Sequence, residues 1–453
     1  MKINIKSMSK GAKKSKKGSV SMPLVHLNAA GIDIGDSLHV VAVPSDRDPV
    51  NVRRFGAFTE DLENIADWLE ECRIDTVAME STGVYWKNLF AVLIERGIDV
   101  YLVNAKHTRN ITGKKDDESD AEWIQRLHSC GLLKSSFLPD DCTETLRTLV
   151  RQRRSLTQDS SRYVLRMQKA LELMNIKIHT VINDITGKTG IAILKAIIGG
   201  ERNAQNFLSL IDGRIKAKPE AILKSLQGHW REEHLFLLKQ CYNLYQYMQL
   251  QIEVCDREIE KVLQLMANGK DKEATLQGGG QQRKSKNQPR FNTVSYLKGI
   301  HRVDVTQIFG ISEISALEIL SETGRDLSKW ATENRFVSWL NLCPNNKKTG
   351  GKLISSQLLK KKPNAACQAF RMAANSLKQS QHWLGDYFRR MRSKGGQKYA
   401  IVATAHKLAI IYYKMVRYKE PFTPFNLDKY REKYRLARIK YFERMLHQLK
   451  HAA

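Results

Sequence analysis

No stretch of the sequence approaches the roughly eighteen consecutive apolar residues that a membrane-spanning helix needs, and mean hydropathy is −0.43. Membrane-spanning helices are therefore not expected. Paired cysteines are missing too. Cys72, Cys130, Cys142, Cys241, Cys255, Cys343 and Cys367 are scattered, odd in number, and never form Cys-x-x-Cys. That usage predicts reduced thiols in a cytoplasm and no zinc site. The opening stretch MKINIKSMSKGAKKSKKGSV holds seven lysines and no acid. It lacks an apolar signal core and a small-residue cleavage site, so no secretory leader is expected. No internal repeat is found.

What the chain has in excess is positive charge. Lys and Arg number 74 against 47 Asp and Glu, a formal net charge of +27. Such an excess attracts polyanions, of which nucleic acid is the commonest. The 453 residues, 42% of them hydrophobic, are enough for two or three packed cores.

The pattern along the chain divides it into six segments. Residues 1–24 read as a disordered basic arm suited to phosphates. Residues 25–140 alternate strand and helix signals. AAGIDIG and SLHVVAVPS are β-rich runs joined at Gly35-Asp36, and VNVRRFGAF is a third strand. TEDLENIADWLEECR is a helix opened by a Thr cap, with Leu62, Ile65 and Leu69 at helical spacing. DTVAME and DVYLVN are strands, VYWKNLFAVLIERG is a helix, and Asp117 to Cys130 is another. Three strands followed by helix, strand, helix, strand, helix is the order of an α/β ribonuclease H-like fold. Residues 141–267 turn almost wholly helical, with Leu244, Met248, Ile252, Cys255, Ile259 and Val262 forming one stripe of a packed or coiled-coil helix. Residues 268–292, rich in Gly, Gln and Lys, read as a flexible linker. Residues 293–425 are mainly α. Within them VDVTQIFGISEISALEIL looks like a helix-hairpin-helix unit, whose glycine-turn amides can hold a phosphate. Residues 426–453 form a basic helical tail.

Four carboxylates stand out. Asp33 sits inside an apolar strand between Ile32 and Ile34, where an unpaired charge is costly and a cation would relieve it. Glu80 ends DTVAME, which in this fold lies beside the Asp33 strand. Asp117 and Asp120 are three residues apart, hence on one face of a helix, at its N-terminal end, where acids also serve as caps. Such an oxygen-rich set suits one or two Mg²⁺ ions. Two ions about 4 Å apart can support phosphoryl transfer.

These residues carry a resemblance. GIDIG, MESTGVYWKNL, VNAKHTRNITGKKDDESDAEWIQRLHSCGLL and WLNLCPNNKKTGGK resemble the DEDD transposases of bacterial insertion sequences, the insertion-sequence-one-ten family. MQKALELMNIKIHTVINDITGKTGIAILKAIIGGERN is similar to the longer members. The likeness spans nearly all of the chain outside the basic arm and the linker. It implies a resolvase-like catalytic domain, a coiled-coil middle and a C-terminal transposase domain. It also implies Asp33, Glu80, Asp117 and Asp120 as the metal-binding DEDD set. The implied partners are donor and target DNA, a structured guide RNA that pairs with both, and further copies of the chain, from dimer to tetramer, with shared active sites. The implied place is a bacterial cytoplasm, at the nucleoid.

The family's nucleophile is a serine just before a Gly-Gly-like turn, and here that position is Thr349. Its hydroxyl has the chemistry of serine, but the β-methyl stiffens χ1 and crowds an in-line attack. Three readings stay open: Thr349 attacks the scissile phosphate, this copy is impaired, or Ser355 or Ser356 substitutes. Lys347, Lys348, Lys352, Lys360, Lys361, Lys362, Arg389 and Arg390 are the expected phosphate contacts. A junction-resolving nuclease that uses water needs only the first domain. A non-catalytic nucleic-acid-binding protein needs only the charge. An ATPase reading of GIDIG needs a second acidic, glycine-rich phosphate loop and an adenosine loop, and the sequence has neither.

Overall fold

A computed structural model describes residues 23–81, 83–104, 117–267, 286–360 and 364–450. Nearly all of the expected basic arm, most of the expected linker, and Lys361 and Lys362 lie outside the described residues. The chain divides into two compact units, Met1–Leu138 and Pro139–Ala453.

The first unit is built on a five-stranded mixed sheet. Its strands are β1 (Ala29–Ile34), β2 (His39–Ala42), β3 (Val52–Phe55), β4 (Thr76–Glu80) and β5 (Asp99–Val103). Their order across the sheet is β3-β2-β1-β4-β5. The first three strands pair antiparallel, and β4 and β5 join parallel to β1. The expected hairpin at Gly35-Asp36 is present, closed by a hydrogen bond from the Gly35 N–H to the Leu38 carbonyl, 3.0 Å.

Helices cover both faces because the strands alternate apolar residues on both sides. On one face Ile32, Ile34, Val77 and Met79 pack against α1 (Thr59–Glu71) and α2 (Trp86–Glu95) through Leu62, Ile65, Leu69, Leu89 and Leu93. On the other, Val40, Ala42, Ala78 and Val103 meet α3 (Asp117–Ser129) through Ala121 and Ile124. The Thr cap expected for α1 is not used. Thr59 is the first helical residue, and the preceding Phe58 N–H donates to the Asp61 carboxylate at 3.0 Å.

The second unit is mainly helical. Two long helices, α4 (Asp141–Leu173) and α7 (Glu232–Met266), run side by side and antiparallel, as the pairs Arg153 with Asp256 and Ser160 with Gln249 show. At one end they enclose a core with α5 (Lys188–Ile198) and α6 (Pro219–Ser225), into which Met167, Leu171, Ile193, Phe207 and Leu238 pack. The buried stripe of α7 runs through Leu238, Cys241, Tyr245, Cys255, Ile259 and Val262. Leu244, expected on that stripe, is 39% exposed. A straight helix drifts from any fixed repeat over this length.

The remaining elements are α8 (Thr293–His301), α9 (Glu313–Thr323), α10 (Glu333–Trp339), the strands β6 (Asn345–Thr349) and β7 (Lys352–Gln357), α11 (Ala365–Ser376), α12 (Trp383–Tyr418) and α13 (Leu427–Lys450). Phe336, Phe370, Tyr412 and Tyr413 are fully buried here. The stretch read as a helix-hairpin-helix forms a short 3-10 turn, Val305–Gln307, and then α9. Cys72, Cys241, Cys255 and Cys367 are buried, and Cys142 is exposed. Among the described residues, no helix is long and apolar enough to cross a membrane.

Candidate active site

The first unit brings its four singled-out carboxylates to one end of the sheet. The parity of β1 separates Ile32 and Ile34, which enter the core under α1 and α2, from Gly31 and Asp33, which face α3. Ile32 pairs with Met79 of the parallel neighbour β4. Asp33 and Glu80, each one residue further on, therefore stand side by side where the two strands end.

The helix α3 supplies the other two acids. Its seat on the sheet is unusually close at Gly31. A Cβ built there would lie 2.2 Å from the Gln125 backbone nitrogen and 2.4 Å from the Ala121 carbonyl oxygen, so only glycine fits. The buried stripe of α3 is Ala121, Ile124 and His128. Asp117 and Asp120 lie one turn before Ala121 and Ile124, so the dry seam between helix and sheet ends in carboxylates from both sides. Both acids are exposed, whereas Asp33 and Glu80 are half-buried. Glu118 turns away to pair with Arg54 at 3.0 Å.

Electrostatics tie the four together. Burial, followed by repulsion from Glu80, Asp117 and Asp120, pushes the Asp33 carboxyl up to about 6. A hydrogen bond from the Ile34 backbone opposes the rise. Among the described residues, however, no three His, Cys, Asp or Glu side chains stand at metal-ligand spacing. The donors are all hard oxygens and their repulsion calls for a cation, so their chemistry fits a divalent ion such as Mg²⁺. Their side chains converge without closing around a point.

His128 was not singled out from the sequence. It is buried and its Nε2 is 2.9 Å from the Thr76 hydroxyl, which locks the far end of α3 to β4. Burial first, and the neighbouring His26 second, hold its imidazole neutral, with a pKa pulled down to about 4. The available signal was the spacing 117, 121, 124, 128, a single helical stripe that joins an acid to a histidine.

Thr349 belongs to the second unit, in a hairpin that interrupts its helices. It is the last residue of β6 and pairs with Lys352, the first of β7. Gly350 and Gly351 between them have φ of +53° and +78°. Two successive positive φ values make the tight hairpin turn that a Gly-Gly pair favours. The strand β6 is exposed throughout, and β7 is exposed except at the half-buried Ser355. Lys347, Lys348, Lys352 and Lys360 are exposed. Of the two alternative nucleophiles, Ser356 donates to the Asn346 side-chain oxygen at 2.7 Å, and Ser355 pairs with Lys347, away from the turn.

Arg389 and Arg390 have partners inside the unit. Arg389 pairs with Asp386 and donates to the Ser380 carbonyl at 2.8 Å. Arg390 lies over the ring of Tyr434, 4.3 Å from its centroid, and near those of Tyr387 and Tyr430. Together with the Asp386–Arg431 pair at 2.6 Å, these contacts join α12 to α13.

A family model for transposases, the DEDD transposase of IS110, matches residues 30–176. A second, described as the transposase IS116/IS110/IS902 family, matches residues 304–389. Between them they cover just over half of the chain. No curated protein matches it. Asp33, Glu80, Asp117 and Asp120 fall inside the first match and Thr349 inside the second. On these two ordered matches the chain belongs to the IS110 family of DEDD transposases.

Proposed function

We propose that this insertion-sequence transposase cuts and rejoins DNA by transesterification, with Asp33, Glu80, Asp117 and Asp120 holding one or two Mg²⁺ ions and Thr349 as the attacking group. The observation that carries the reading is the convergence of the four acids where the seam between α3 and the sheet ends, with the Asp33 carboxyl raised to about 6.

A bound Mg²⁺ would supply charge neutralisation at the scissile phosphate. The chain's own groups do the rest. The Thr349 oxygen forms a bond to phosphorus and loses its proton, and the bridging phosphodiester bond breaks. The departing sugar oxygen takes up a proton. The threonyl phosphodiester keeps the energy of the broken bond, so attack by a sugar hydroxyl of another strand rejoins DNA and releases the threonine. The exposed lysines of the hairpin draw the DNA backbone to this hydroxyl.

The family resemblance and the net charge of +27 also support an element-encoded guide RNA as a partner. With base pairing delegated to RNA, the protein needs mainly to grip backbones. Assembly as a dimer or tetramer with shared sites follows from the same resemblance.

The test is excision and joining by purified protein with Mg²⁺, its element's DNA and the transcript of the element's non-coding end. Asp33→Asn is expected to abolish both reactions, and Thr349→Ala to abolish the covalent protein–DNA adduct. Cleavage without any adduct in the wild type would replace this reading with hydrolysis by water.

A further inference from the structure

The hairpin that carries Thr349 has two chemically different faces. Side chains of directly paired residues share a face, and neighbours along a strand alternate. Thr349 pairs with Lys352, Lys347 with Ser355, and Asn345 with Gln357. These six residues, all polar, share one face, with Lys347 two residues before Thr349 on its own strand and Lys352 directly across from it. Lys348 pairs with Leu353, and Asn346 with Ser356. They form the reverse face, where the 2.7 Å bond from Ser356 to Asn346 independently fixes the register. The register shifts beside Lys347 and Lys348, leaving Ile354 as the extra residue.

Neither face is covered by the rest of the described protein. Leu353 and Ile354 are 56% and 68% exposed. From Asn345 to Lys360 the chain has no acid. A lone two-stranded ribbon is marginal in water, so this arm is built to rest on a partner, and its charge makes that partner anionic. A ribbon of this width fits the major groove of a duplex or lies along its backbone. On one face, residues two apart along a strand are separated by about 6.8 Å. Lys347 lies that far back along the strand from Thr349 and Lys352 lies directly across the ladder from it, so the two reach backbone in two different directions from whatever phosphate Thr349 approaches.

We propose that the hairpin meets the DNA backbone through its Thr349 face alone, with Lys347 and Lys352 as positioning residues on two different phosphates next to the attacked one. Lys348, pointing away beside Leu353, takes no part in that contact. The inference rests on the reading of Thr349 as the group brought to the scissile phosphate. It divides three neighbouring lysines that the sequence treats alike.

The experiment measures binding of full-length protein, with the element's transcript, to duplexes that span the junction between the element's end and its flank. Each duplex carries a single neutral methylphosphonate, moved stepwise across the junction. Neutralising either phosphate next to the attacked one is expected to weaken wild-type binding about fivefold, as loss of one backbone contact. Lys352→Ala is expected to be insensitive to one of these substitutions and Lys347→Ala to the other, because the contact is already gone. Lys352→Arg should restore the sensitivity. Lys348→Ala lowers general affinity but keeps the wild-type response at both positions.

Loss of sensitivity in Lys348→Ala, or equal responses from all three variants, overturns the proposal. The same series in Thr349→Ala, read beside adduct formation, separates it from the nucleophile reading. An adduct that survives Thr349→Ala sinks the nucleophile, while the methylphosphonate pattern still decides which face meets DNA.

Discussion

Asp33 and Glu80 stand just beyond the last pair of the parallel β1–β4 ladder, each one residue past Ile32–Met79. Their closeness follows from backbone register alone, which is why repulsion from Glu80 is the second cause, after burial, of the raised Asp33 carboxyl. Sheet and helix here bring like charges together at the edge of a dry seam. Such an arrangement costs stability in the free protein and favours a bound cation.

The first prediction concerns the sign of that cost. A carboxyl whose folded-state pKa is raised binds its proton more tightly when folded than when unfolded. The associated stabilisation is therefore present below about pH 4 and lost as pH rises through about 6. With divalent ions chelated, Asp33→Asn should remove this slope. It should make the protein more stable than wild type at pH 7 by about 1 kcal/mol, reduced from the full shift because the site is partly solvated. The same variant should lose at least about 10²-fold in excision rate. Denaturant unfolding at pH 4 and pH 7 checks the first part. A variant less stable than wild type at pH 7 would contradict the geometry.

Adding Mg²⁺ should raise the melting temperature of the wild type. At 100 times the dissociation constant the gain is about 2.7 kcal/mol. Asp33→Asn, Glu80→Gln and Asp117→Asn should each lose most of that gain. Chelation should stop cleavage without unfolding the protein. A melting temperature indifferent to Mg²⁺ in the wild type would count against metal binding by these four acids.

Gly31 offers a test of how α3 is seated. Gly31→Ala places a methyl group within 2.4 Å of backbone atoms at both Gln125 and Ala121. Backbone cannot rotate away as a side chain can, so α3 must lift. The expected cost is about 1–3 kcal/mol. Activity should fall further than stability explains, because Asp117 and Asp120 move with the helix while Asp33 and Glu80 do not. Comparing excision rates at equal folded fraction separates the two effects.

The order of strands and helices in the first unit could be read from the sequence because each element carries its own period and its own turn cues. The neighbourhood of Asp33 and Glu80 followed from that order. Other features were hidden for physical reasons. Asp256 looks like a solvent-facing acid within an amphipathic helix, yet it is buried against Arg153. Only the tertiary partner, more than a hundred residues away in sequence, makes that burial tolerable. Arg389 and Arg390 look like phosphate ligands by charge, but Asp386 and three tyrosine rings occupy them. The sequence shows only the Gly-Gly turn beside Thr349 and not the two strands of the hairpin, because those strands lack the usual alternation of apolar and polar residues. The Gly-Gly pair ahead of Lys352-Leu353-Ile354 was the signal that betrayed it.

The last prediction returns to the threonine. Thr349 is exposed beside an open turn, where Cβ atoms on Gly350 or Gly351 would meet nothing within 4 Å beyond their chain neighbours. Crowding by the chain is therefore not what limits its hydroxyl. The residue's own methyl is, because it restricts χ1 to fewer rotamers than serine allows. Thr349→Ser should then leave DNA binding unchanged and raise the rate of adduct formation by roughly tenfold or less, the worth of about 1.4 kcal/mol in a barrier. Thr349→Ala should form no adduct while binding DNA as well as wild type. A Thr349→Ser variant faster by several orders of magnitude would show that the threonine cripples this copy. A Thr349→Ala variant as active as wild type would move the nucleophile elsewhere, with Ser355 next in line because it shares the Thr349 face.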